Sequence, residues 1–251
     1  MPTARSDGFG VHYEVSGEGP LLVLHPGMFQ TGASWGDAGY TAALAADHTV
    51  VALDPLGLGA SDAPHATAAY ALERRVDAVT AVLDDLGADR ATVWGYSMGA
   101  LTALGMARHA PERCDRIVAG SWDPVNGFAS GLEHALRQLE LPADTDAFDL
   151  LRQGAAADPA QAAVIDAADG AALRANYEAF SRDRDLDAGL ASTGVPMLMY
   201  CGTADPWHEP MRGVAARVGA TFFSVPDADH LAGWVRSADV LPEVRRFLAR
   251  R

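Results

Sequence analysis

Ser97 stands in the pentapeptide Gly95-Tyr96-Ser97-Met98-Gly99. The apolar run Ala91-Thr92-Val93-Trp94 precedes it, and a helical pattern from Met98 to His109 follows at once. A serine on a sharp strand-to-helix turn presents its hydroxyl as a nucleophile. Such a turn needs small residues where strand and helix approach. Gly95 and Gly99 meet that need, and Ala100 and Ala103 let the helix pack closely. The helix N-terminus adds a positive dipole beside the hydroxyl.

A serine hydroxyl is a weak nucleophile without a base. Among the eight histidines, His230 is best placed, in Pro226-Asp227-Ala228-Asp229-His230-Leu231 between the last strand pattern and the last helix. Loops at the carboxyl ends of strands are where α/β sites form. His12, His48, His65, His109 and His134 read as structural or solvated, and His208, which opens a helix, as a rim residue. The base needs an acid to fix its tautomer and stabilise its charged form. Asp205, in Gly202-Thr203-Ala204-Asp205-Pro206, follows the next-to-last strand and is preferred. Asp123, just after the strand before it, is the rival. Asp227 and Asp229 are too close to His230 in sequence and shape its loop.

These side chains must be held by a frame. Short apolar runs predict strands over residues 11–15, 21–25, 50–54, 91–95, 116–120, 196–201 and 220–225. Several are apolar almost throughout, as strands buried on both faces of a parallel sheet are. Helical spacing is read over 67–86, 98–109 and 241–250. This alternation predicts an α/β fold with a mainly parallel sheet. Residues 123–194 break the rhythm and read as helices only, over 131–139, 146–156 and 160–181. The expected organisation is a core of residues 1–122 and 195–251 with a helical cap inserted at 123–194.

Composition excludes several chemistries. All 19 basic residues are Arg, so lysine Schiff bases and the Gly-Lys-Ser/Thr phosphate loop are ruled out. Cys114 and Cys201 lie far apart without a partner motif, which suggests neither a disulfide framework nor a zinc site and a reduced, cytoplasmic setting. No apolar run approaches the ~18 residues of a membrane span. The N-terminus does not read as a signal peptide. A net charge of −14 disfavours nucleic acid and anionic membranes as partners. No metal and no cofactor is expected.

With these residues in hand, the sequence resembles the α/β-hydrolase superfamily, in its group of small serine hydrolases with a helical cap. The likeness runs from about Phe9 to Phe247, and the order Ser97, Asp205, His230 is that family's order. It implies an eight-stranded, mainly parallel sheet flanked by helices. The segment Asp54-Pro55-Leu56-Gly57-Leu58-Gly59-Ala60-Ser61-Asp62 looks like the family's loop beside the site, with Pro55 and Leu58 where basic residues are commoner. His25-Pro26-Gly27-Met28-Phe29 resembles its oxyanion loop, with Pro26 in the place of the family's His. The resemblance implies that backbone N–H groups of Met28 and Met98 hold the oxyanion, with Gly27 an alternative to Met28. Dehalogenases and epoxide hydrolases of this fold attack with an aspartate, whereas position 97 is Ser. Hydroxynitrile lyases of the fold use a lysine, which this chain lacks.

The implied chemistry is acyl transfer through an acyl-enzyme on Ser97, with a carboxylic ester or lactone as substrate. Alternatives are a carbon–carbon or amide hydrolase with the same triad, or a weakly catalytic ligand-binding receptor. Phe29, Trp122, Phe128, Trp207 and Trp234 are the expected apolar lining, which suits a small, apolar molecule. A homodimer is left open.

Overall fold

The apolar runs become the central strands of one sheet because both of their faces are covered. The computed structural model describes residues 2–250. Its strands are β1 (Thr3–Ser6), β2 (Phe9–Ser16), β3 (Leu21–His25), β4 (Thr49–Leu53), β5 (Ala91–Tyr96), β6 (Cys114–Gly120), β7 (Met197–Gly202) and β8 (Thr221–Val225). They form one eight-stranded sheet in the order β1-β2-β4-β3-β5-β6-β7-β8. The pairs β1–β2 and β2–β4 are antiparallel, and the other five are parallel. The seven expected strands form with small shifts at their ends. β1 is the eighth strand that the resemblance implies, and no apolar run marks it. It is four residues long and buries only Ala4 and Ser6, too little to stand out as an apolar run.

Helices cover both faces. They are α1 (Gly32–Asp37), α2 (Tyr40–Leu44), α3 (Leu72–Asp85), α4 (Met98–His109), α5 (Phe128–Gln138), α6 (Ala147–Ala155), α7 (Pro159–Ala167), α8 (Gly170–Phe180), α9 (His208–Val218), α10 (His230–Val235) and α11 (Ser237–Leu248). Successive strand residues face opposite sides. Val23, Val51, Val93 and Ile117 join one core with the buried faces of α3, α4 and α9. Leu22, Val50, Trp94 and Val118 join the other with residues of α1, α2, α10 and α11. None of these helices is long and apolar enough to cross a membrane.

Two helical readings need correction. The helix expected over 67–86 is divided, with a 3-10 turn at Thr67–Tyr70 before α3. Ala71 is extended there, while the Tyr70 hydroxyl donates to Pro64 O and Arg75 Nε to Tyr70 O, tying the turn inward. The helix expected over 160–181 is also two. Asp169 starts α8 afresh by accepting hydrogen bonds from the Ala171 and Ala172 N–H groups at 2.8 and 3.1 Å. Both breaks serve side-chain bonds that apolar spacing does not report.

Helices α5 to α8 lie between β6 and β7, which are neighbours in the sheet. The last of them is fastened to the core. Asn176 of α8 accepts from the buried Arg75 guanidinium and donates to Leu56 O, and Thr67 donates to Glu178.

His25 ends β3 fully buried, and burial drives its imidazole down from 6.5 to about 4. Between those values the unfolded chain takes up a proton that the folded chain does not, so stability falls as pH is lowered. At pH 5 this residue alone should cost about 2 kcal/mol. Thermal unfolding of the wild type and His25→Gln at pH 7 and pH 5 tests this. The variant's Tm should fall less between the two, by roughly 4–8 °C.

Candidate active site

The turn between β5 and α4 is tight enough to demand its glycines. A Cβ on Gly95 would lie 1.9 Å from Gly99 O, and one on Gly99 would lie 2.0 Å from His25 O. Ser97, between them, has φ 55° and ψ −119°. That strained backbone is held by Ser97 N–H donating to Gly120 O of β6 at 2.8 Å, and by Ala100 N–H donating to Ser97 O at 2.8 Å. The hydroxyl is thereby raised above the carboxyl ends of the central strands, next to the N-terminus of a well-formed helix.

His230 comes from the other end of the chain. Gly202, where a Cβ would meet Ala228 O at 2.0 Å, lets the loops after β7 and β8 run side by side. Ala204 N–H donates to Ala228 O, and Asp227 N–H to Thr203 Oγ1. Asp229 caps α10 through the Ala232 N–H, which makes His230 that helix's first residue. The sequence pattern predicts a loop at His230, and the Asp229 cap draws it into α10 instead. The Tyr96 hydroxyl donates to His230 O at 2.6 Å and fixes the turn against β5.

These constraints bring three of the predicted residues together. His230 Nε2 lies 3.1 Å from Ser97 Oγ, and His230 Nδ1 lies 2.8 Å from Asp205 Oδ2. The Asp205 side chain is fully buried, while that of His230 is 41% exposed. Burial pushes the Asp205 carboxyl up. The charge and hydrogen bond of His230, with the Trp207 N–H on Oδ1, outweigh it and hold the carboxyl below its ordinary value. An ionised Asp205 accepts only, so the His230 Nδ1–H donates to it. Nε2 is then left as an acceptor facing the Ser97 hydroxyl.

The rival acid, Asp123, does not reach His230. Its carboxylate accepts from the backbone N–H groups of Val125 and Asn126, the Asn126 amide and the Ser130 hydroxyl. His208 bonds to Ser224 and Glu209, away from the serine.

The loop after β3 passes directly beside Ser97, where a Cβ on Gly27 would come within 3.3 Å of the serine Cβ. The Gly27 N–H already donates to Gln30 Oε1 at 2.9 Å. Among the described residues, the Met28 and Met98 N–H groups have no protein acceptor. Asp54 braces this corner by accepting from Gly32 N–H, Ala60 N–H and His12.

Four of the five expected lining residues share one apolar cluster: Phe29, Trp122, Phe128 and Trp207. Phe148, Tyr177 and Phe180 close the ring between them, with Phe29–Phe148 centroids at 6.3 Å and Phe128–Phe180 at 5.5 Å. The sequence reading missed these three, which lie on helices without a motif. Only their positions on apolar helix faces could have signalled them. Trp234 is a correction. It is buried in the core on the sheet's other face, 4.6 Å from Trp35 and 5.3 Å from Tyr96, because α10 turns that side inward.

With this geometry in view, the family can be read. A family model described as the alpha/beta hydrolase fold matches residues 20–236. The chain belongs to the α/β-hydrolase family. An uncharacterised protein of Mycobacterium tuberculosis is 30% identical over 145 residues, 58% of this chain and 40% of that one. Epoxide hydrolase B of the same organism is 37% identical over 40% of this chain and 28% of its own. The matched part is thus well under half the length of these relatives. Among solved structures, an enol-lactonase from Burkholderia xenovorans LB400 superposes with a TM-score of 0.80 at 25% identity, over 99% of this chain and all of that one. A hydrolase from Pseudomonas aeruginosa PA01 does so at 0.80 and 28%, over 98% and 97%.

The close approach at the turn sets a test. Gly99→Ala should lower the unfolding free energy by about 3 kcal/mol or more, because backbone rather than a side-chain tip must give way. Gly154→Ala, with open space around the new Cβ, is the control. Urea unfolding of both compares them, and equal stability would refute the strain at Gly99.

Proposed function

We propose that this protein is a serine hydrolase of carboxylic esters or lactones that works through an acyl-enzyme on Ser97. The chain of contacts Ser97–His230–Asp205, at 3.1 and 2.8 Å, carries the reading. His230 Nε2 takes the Ser97 proton as the oxygen attacks the substrate carbonyl. Asp205 holds the imidazole in the right tautomer and stabilises the imidazolium. The Met28 and Met98 N–H groups receive the oxyanion, since the Gly27 N–H is engaged by Gln30. His230 then gives its proton to the leaving alcohol. Water, deprotonated by the same nitrogen, attacks the acyl carbonyl and releases the acid and free Ser97.

Serine at position 97 separates this reading from the aspartate chemistry of epoxide hydrolases, despite the relative of that name. The enol-lactonase neighbour supports esters or lactones, and the aromatic wall from Phe29 to Trp207 supports an uncharged, apolar acyl or alcohol group. The insertion of α5 to α8 acts as the cap over this pocket.

A panel of p-nitrophenyl acyl esters and lactones is the test. Ser97→Ala should abolish turnover and labelling by a fluorophosphonate probe, and undiminished labelling would overturn the reading. Asp205→Asn should keep the fold and lower kcat by about 10⁴.

A further inference from the structure

Trp207 touches both partners of Ser97. Its backbone N–H donates to Asp205 Oδ1 at 3.0 Å. Its ring meets the His230 imidazole at 5.0 Å between centroids, with the planes 86° apart. The indole is itself held from the insertion, where its Nε1–H donates to Ser130 Oγ at 3.0 Å. A hydroxyl has one proton, and Ser130 has acceptors for it in Asp123 Oδ2 at 2.9 Å and Gly127 O at 3.2 Å, which leaves its lone pairs for the indole. Asp123 is fully buried and tied to Val125 and Asn126 N–H groups, so the anchor is rigid. The next residue adds a second, independent contact. A Cβ on Gly131 would lie 2.7 Å from Trp207 Cζ2, so the α5 backbone rides directly on the indole.

We propose that Trp207 is a positioning residue for His230, set from the insertion by Ser130 and Gly131. The indole blocks one swing of the imidazole, and Ser130 fixes where the indole stands. The orientation of His230 toward Ser97 thus depends on α5, although α5 contributes no group to the reacting atoms. Asp123, at a strand's carboxyl end yet out of reach of His230, has its place here as the anchor of Ser130. The inference rests on His230 acting as the base of Ser97.

Ser130→Ala, Gly131→Ala and Trp207→Phe test it, with Ser130→Thr as the conservative variant that keeps the hydroxyl. Each of the first three should lower kcat about tenfold, and in Ser130→Ala and Gly131→Ala, which leave the aromatic wall intact, KM should change little, since misplacement of a catalytic group costs rate rather than binding. Ser130→Thr should recover most of the loss. By proton NMR, the downfield Nδ1–H signal of His230 should broaden or move in Ser130→Ala and return in Ser130→Thr. Wild-type kcat and an unchanged signal in folded Ser130→Ala and Gly131→Ala would overturn the inference, as would losses that track Tm alone. Failure of the wild type to label at Ser97 would instead sink the hydrolase reading, and the NMR comparison would still decide the role of Trp207.

Discussion

The approach of α4 backbone to the ends of β3 and β5 is the contact on which the rest of the site depends. Nothing larger than glycine fits at positions 95 and 99, because carbonyl oxygens of Gly99 and His25 occupy the space. That closeness forces Ser97 into a left-handed conformation, and the bond from its N–H to Gly120 O keeps it there. The strain is localised at one residue and is offset by the burial of β5 and α4 around it. With the hydroxyl fixed, the loops after β7 and β8 need only bring an imidazole to a known point.

They do so with backbone as much as with side chains. Gly202 lets the two loops touch, and Ala228 O receives the Ala204 N–H. A buried carboxylate is costly unless hydrogen bonds and opposite charge compensate it. Asp205 has the Trp207 N–H on one oxygen and His230 on the other. The half-exposed imidazole thus gets a fixed tautomer from a partner that water does not reach.

The aromatic residues divide between two jobs that composition cannot separate. Trp35, Trp94 and Trp234 fill the core on one face of the sheet, where edge-to-face packing stabilises the fold. Trp122, Trp207 and Phe128 belong to the other face and to the inserted helices. The parity of the strand and the turn of α10 decide which job a given ring has.

The sequence alone makes legible the elbow, the strands that bracket it and the order of Ser97, Asp205 and His230 along the chain. Those features are local: small residues at fixed offsets and apolar runs bounded by turns. It also determined the absence of lysine chemistry, which needs no structure. It took the folded chain to show that Asp205 contacts His230 and that Asp123 is tied to Val125, Asn126 and Ser130 instead. Both aspartates follow strands at the same edge of the sheet, and the choice rests on which loop crosses to His230. Only the folded chain shows the Gly27 N–H engaged by Gln30 while, among the described residues, the Met28 N–H has no protein acceptor. Only it puts Trp234 in the core on the sheet's other face and sets Phe148, Tyr177 and Phe180 against Phe29 and Phe128. Such assignments depend on contacts between residues distant in sequence, and spacing along the chain carries no record of them.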